Sequence, residues 1–86
     1  MAVLVETPLR QISITTTDGK SYLFDEYHGF SELTITHKSG ASERFESVEL
    51  EYQDLVKGRR FSWFEVVCDG SVVPHISSPV VSVGLV

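Results

Sequence analysis

Eighty-six residues, 42% hydrophobic and 22% charged, suffice for one packed core and are too few for two, and the balance is not that of a disordered chain. Twelve acidic against seven basic residues give a formal charge of −5, which repels a phosphate backbone and argues against nucleic acid as a partner. A single cysteine excludes an internal disulfide and points to a reducing, cytoplasmic setting; no apolar run approaches the roughly 20 residues that cross a bilayer, and the first residues lack the basic start of a signal peptide.

Val3-Leu4-Val5 is a short apolar run suited to an edge strand, punctuated by Pro8. The first extended strand is expected over 9–17 and the second over 20–26. Between them Thr16-Thr17-Asp18-Gly19-Lys20 suits a three-residue hairpin loop with Gly19 in the left-handed conformation. That loop pairs Thr16 with Lys20, Ile14 with Tyr22 and Ile12 with Phe24, whereas a two-residue turn at Asp18-Gly19 scatters the apolar residues. After a polar connection at Asp25-Glu26-Tyr27-His28-Gly29, a strand over 31–38 leads to a second loop of the same shape, His37-Lys38-Ser39-Gly40-Ala41. It sets Ile35 opposite Glu43 and Leu33 opposite Phe45, extending an antiparallel meander.

Residues 42–57 admit two readings. As a helix, Ser42 caps it, Phe45, Val48, Tyr52, Leu55 and Val56 form a stripe, and Gly58 ends it. As a strand over 42–52, Val48-Glu49-Leu50-Glu51-Tyr52 alternates, with Phe45 one residue out of phase and hence a bulge near Glu46-Ser47. The strand is preferred, because the helix leaves Leu50 in water and sets acidic residues against one another without lysine partners; a short helical turn is allowed at 53–57.

Residues 59–68 hold the only Trp, two of the five Phe and the only Cys. They read as a strand apolar on both faces, with Phe61, Trp63, Glu65 and Val67 on one and Ser62, Phe64, Val66 and Cys68 on the other. A strand with one wet face does not look like this, so a second layer or a partner covers the other side. A two-residue turn at Asp69-Gly70 would pair Val67 with Val72 and Val66 with Val73, opening a strand over 71–76. Pro74 and Pro79 bracket His75-Ile76-Ser77-Ser78 and restrict that segment to an edge or a loop, and residues 80–86 form a last strand. No Asp, Glu, Lys or Arg occurs after Asp69, and so uncharged a tail is packed or paired.

The chemistry-bearing constellations are thin. Asp25, Glu26 and His28 share a loop and are the best acid/base candidates, but turn and solvent roles account for them more simply. Cys68 with His75 across a turn is a conceivable nucleophile pair, though a lone strand cysteine reads more simply as core. His28, His37, His75 and Cys68 lack metal-motif spacing, the glycines form no phosphate loop, and no cofactor is expected. Lys57, Arg59 and Arg60 ahead of Phe61 and Trp63 combine charge with rings, yet come directly after an acidic block that is better placed to pair with them, Arg60 facing Glu49 or Glu51.

The fold expected is therefore all-β, six or seven antiparallel strands in one domain, as a partly open barrel or a two-layer sandwich; the alternative is α+β with a helix near 43–57. The function expected is a non-enzymatic protein-interaction module, self-associating through residues 80–86 together with Phe61 and Trp63. Its candidate partner-binding residues are Arg59, Arg60, Phe61, Trp63 and Tyr52. The alternatives are a small accessory or inhibitor protein of microbial or phage type, using Glu43, Glu46, Glu49, Glu51 and Asp54 as an acidic strip against a basic surface, and a small enzyme around Asp25, Glu26 and His28.

Overall fold

The structure, a computed structural model, describes residues 7–86, so the edge strand expected at Val3-Leu4-Val5 lies outside the described residues. Among the described residues eight strands occur in chain order: β1 Arg10–Thr16, β2 Ser21–Glu26, β3 Ser31–Thr36, β4 Ser42–Phe45, β5 Val48–Leu50, β6 Ser62–Val66, β7 Val72–Ile76 and β8 Val80–Leu85. They form two antiparallel sheets, a large one ordered β4-β3-β2-β1-β8 and a small one ordered β5-β6-β7.

The first two hairpins take the registers that their loops require. Ile12 lies opposite Phe24 and Ile14 opposite Tyr22, while Leu33 faces Phe45 and Ile35 faces Glu43. Gly19 stands at φ +83°, where any side chain strains the backbone. One face of the large sheet thereby collects Ile12, Ile14, Tyr22, Phe24, Leu33 and Ile35, all buried. Val48 and Trp63 from the small sheet close over it, together with Phe61 just ahead of β6 and Val80. Phe61 meets Tyr22 and Phe24 edge to face at 5.0 and 6.2 Å, the geometry that the ring quadrupoles favour.

Residues 42–52 depart from the single strand expected, and no helix spans 43–57. The chain leaves the large sheet after Phe45, crosses at Glu46-Ser47 and enters the small sheet at Val48. The phase slip visible in the sequence is the cause. Phe45 and Val48 both pack toward the core, which an unbroken period-two strand cannot achieve, so the strand breaks into two sheets where a bulge was expected. A single 3-10 turn, Tyr52–Asp54, comes next.

The third hairpin also differs. Val66 faces Val72, and Val67 N–H donates to Ser71 C=O at 3.0 Å, so the loop has three residues rather than two. Val67-Cys68-Asp69-Gly70-Ser71 repeats the bonding of Thr16–Lys20 and His37–Ala41, each closed by a glycine at positive φ. The strand expected over 59–68 is accordingly shorter, and Cys68, expected in the core, is exposed in the loop. Residues 59–61 instead run beside 77–80, with Ser77 N–H donating to Phe61 C=O at 2.9 Å and Val80 N–H to Arg59 C=O at 2.7 Å. The hydroxyl of buried Ser77 accepts the Phe61 N–H at 3.0 Å, which satisfies a donor that the sheet leaves open. Pro74 sits in the edge strand β7, and the uncharged tail pairs with β1 as edge strand β8.

Candidate functional site

The residues proposed from the sequence as one partner surface do not form one. Phe61 is 0% and Trp63 3% exposed, so both belong to the core. Arg59 and Arg60 are exposed; Arg60 does not pair with Glu49 or Glu51 but donates to Ser77 C=O at 3.4 Å. Tyr52 is exposed and lies under the guanidinium of Arg10, 5.3 Å from its ring centroid, while Trp63 is buried.

The acidic strip is divided by the sheet crossing. Glu43 on β4 reaches His37 at 2.8 Å, Glu46 lies in the crossing, and Glu49 is on β5 in the other sheet. Glu51 and Asp54 lie at the two ends of the 3-10 turn. Asp25 and Glu26, expected in one loop with His28, instead end β2: Asp25 accepts from the Gln11 amide at 2.7 Å and Glu26 pairs with Arg10, while His28 is exposed in the turn. His75 stands opposite Trp63 in the ladder, whereas Cys68 lies five residues further along in the hairpin loop, about 17 Å away at strand rise, so the two do not meet. Among the described residues no group of three or more His, Cys, Asp or Glu is placed to hold a metal.

What the structure does assemble is the outward face of the small sheet. Since Phe61 and Trp63 point inward, period two turns Ser62, Phe64 and Val66 outward. Their ladder partners on that face are Ile76, Pro74 and Val72, and Glu49 stands opposite Phe64 from the other side. Val72 is 51% and Ile76 68% exposed, so the row is open to solvent. The outward face of the large sheet is its opposite in chemistry: polar side chains such as Gln11, Ser13, Thr15, Asp25, Thr34 and Arg44 surround one Leu23. Arg44 pairs there with Glu32, and the Thr15 hydroxyl bonds that of Ser82. One sheet thus has an ordinary wet face, and the other an apolar one.

An open groove of about 770 Å³ adjoins this face where β5 approaches the β2–β3 turn. Tyr27 and Phe30 stack at 4.9 Å on one wall, and Leu9, Arg10, Leu50 and Tyr52 are among the other residues that line the groove, as are Glu26 and Glu49. Sequence reasoning missed both features. Phe64 and Val66 were visible as the second apolar face of their strand, but Val72, Pro74 and Ile76 join them only in the three-residue-loop register. Tyr27 and Phe30 lie in a turn that no periodicity marks.

Compared with protein-family models, with curated proteins and with solved structures, the chain has no match. The site's own chemistry is therefore what bears on function. No helix among the described residues is long and apolar enough to cross a membrane.

Proposed function

We propose that the chain is a non-enzymatic protein-interaction module that docks through the outward face of its small sheet. One observation carries the reading: Phe64, Val66, Val72, Pro74 and Ile76 form a contiguous apolar row on a sheet whose other face is already the core. Large apolar rows left in water mark contact surfaces, and this one has Ser62 beside Ile76 and Glu49 beside Phe64 at its borders. Glu49 within the face and the charge of −5 favour a protein whose apolar contact area is ringed by basic residues. Of the five acidic residues considered from the sequence, Glu49 is the one that serves this role. The reading extends to a reducing, cytoplasmic setting, in keeping with one unpaired cysteine.

The test is affinity capture with quantitative mass spectrometry, then binary affinity measurement with the purified partner, for three proteins. Val72→Lys/Ile76→Lys alters only exposed positions and is expected to abolish binding while melting within a few degrees of the wild type. Thr34→Lys, on the large sheet's wet face, is expected to bind normally. A partner retained equally by both variants overturns the docking face.

A further inference from the structure

An open sheet edge recruits other strands unless something blunts it. Among the described residues the two sheets end in four edges: β4, β8, β5 and β7. Three are blunted. Four-residue β4 carries Glu43 and Arg44, three-residue β5 carries Glu49, and β7 has Pro74 at its middle. Six-residue β8, Val-Val-Ser-Val-Gly-Leu, has neither charge nor proline; its register against β1 shifts once, at Val81 between Thr16–Val80 and Thr15–Ser82, and runs unbroken over Ser82–Leu85.

The register shows which backbone groups lie open. Val86 N–H donates to Gln11 C=O at 3.0 Å, while Ile12 lies opposite Leu85 and Ile14 opposite Val83. Bonding alternates along an antiparallel ladder, so Ser82 and Gly84 direct their N–H and C=O toward β1, and Val83 and Leu85 direct theirs away. Val80 also faces away, but Arg59 C=O accepts its N–H at 2.7 Å and Gly58 N–H donates to its C=O at 2.8 Å. Over the stretch beyond the register shift at Val81, the open set is therefore the N–H and C=O of Val83 and of Leu85, symmetric about Gly84. The same two side chains lie on the core side of the sheet, yet remain 40% and 72% exposed because, among the described residues, no strand adjoins β8 beyond β1.

We propose that β8 pairs antiparallel with β8 of a second copy about a two-fold axis at Gly84, which fuses two five-stranded sheets into one of ten. This pairing is independent of the docking face on the small sheet. Val83 then stands opposite Leu85 of the second copy, and Leu85 opposite its Val83; each such pair exchanges two hydrogen bonds, so every open group is used. Centring the axis on Val83 instead sets Leu85 opposite Val81 of the second copy, at the register shift where the regular bonding of β8 breaks. The axis position is the non-bonded one, where facing Cα atoms approach to about 4.5 Å, and glycine leaves it clear. The four apolar side chains shield one another across the axis. A second copy is the favoured occupant because the donor and acceptor spacing is self-complementary and the strand, unlike the chain as a whole, has no charge to repel its twin.

The experiment combines solution mass with site-specific crosslinking. Light scattering of the wild type is expected to show concentration-dependent growth from 9.6 kDa to twice that mass. Leu85→Pro removes an N–H that β1 does not use and two of the four intermolecular bonds, so the dissociation constant should rise at least about tenfold. Gly84→Lys serves if proline unfolds the strand: a Cβ at Gly84 meets no atom within 4 Å, so the monomer accepts it, while two ammonium groups then meet on the axis. In a Cys68→Ser background, Gly84→Cys should form a disulfide-linked dimer on mild oxidation, its Cα separation lying within bridging range, and Val81→Cys should not. A wild type that stays monomeric to millimolar concentration overturns the proposal. So does a dimer that both edge variants preserve, or crosslinking equal at positions 81 and 84.

Discussion

His75 lies flat against Trp63, with ring centroids 4.0 Å apart and planes 7° from parallel. The two are register partners across β6 and β7, so an imidazole closes the rim of the core. The arrangement leaves His75 Nε2 shielded from solvent and without a hydrogen-bond partner. Glu65 Oε1, at 3.5 Å, is within ion-pair range but does not accept a hydrogen bond. A shielded polar atom left unpaired costs roughly 1–3 kcal/mol, whereas an aromatic pair contributes about 0.5–1.5 kcal/mol. His75→Phe keeps the stack and removes the orphan, so it should raise unfolding free energy in urea by about 1 kcal/mol. His75→Ala should lower it. If both variants lose stability alike, the imidazole nitrogen is contributing a bond of its own.

The two faces of the segment 61–66 should separate cleanly in mutagenesis. Phe61, 0% exposed and in contact with Tyr22 and Phe24, joins the sheets, and Phe61→Ala should cost about 3–5 kcal/mol. Phe64 lies half-buried on the outward face, and Phe64→Ala should cost well under half as much. Denaturant unfolding monitored by Trp63 emission reads both. Equal losses would mean that the outward face is packed rather than open.

That contrast also marks where sequence reasoning reaches its limit. The inward sets of β1 to β3 were legible because a turn of known length fixes register and register fixes face, as Ile14 opposite Tyr22 and Leu33 opposite Phe45 show. Phe61 and Trp63 could not be assigned to core or interface, since a strand apolar on both sides carries no sign of which layer covers it. Residues 42–52 were legible as extended with an irregularity at Glu46-Ser47; that the irregularity moves the chain into another sheet depends on contacts distant in sequence. Edge β8 was legible as uncharged, and its open groups became identifiable only with its register against β1.

The third hairpin loop is one residue longer than Asp69-Gly70 suggests, and its glycine offers a direct check. Gly70 sits at φ +85° with open space around it, so Gly70→Ala meets no clash and suffers only the backbone penalty. The expected loss is about 1–2 kcal/mol, with Gly70→Asn losing less, because asparagine tolerates the left-handed region. Thermal unfolding of the two variants measures it. A neutral Gly70→Ala would show that the loop adopts the two-residue form with a different glycine geometry.

The same loops carry a pH dependence whose direction is fixed. Asp18 accepts a hydrogen bond from the Thr16 hydroxyl, which is the main cause holding its carboxyl below the ordinary value; the Lys20 N–H adds a weaker one. Asp69 is held low in the same way by the Ser71 hydroxyl at 2.5 Å and the Ser71 N–H at 2.9 Å. In each case the folded state binds its proton more weakly than the unfolded chain does. The stabilisation is therefore complete above the unfolded value, about 3.9, and is lost as pH falls through the lower folded value. Asp18→Asn and Asp69→Asn should each melt below the wild type at neutral pH, with the two deficits adding because the loops lie in different sheets. Melting curves taken from pH 7 down to about 2 should show each deficit shrinking below about pH 4, as the wild type loses the charge that the variants never had. A deficit that stays constant across that range would assign it to the loss of side-chain shape rather than to the ionised carboxylate.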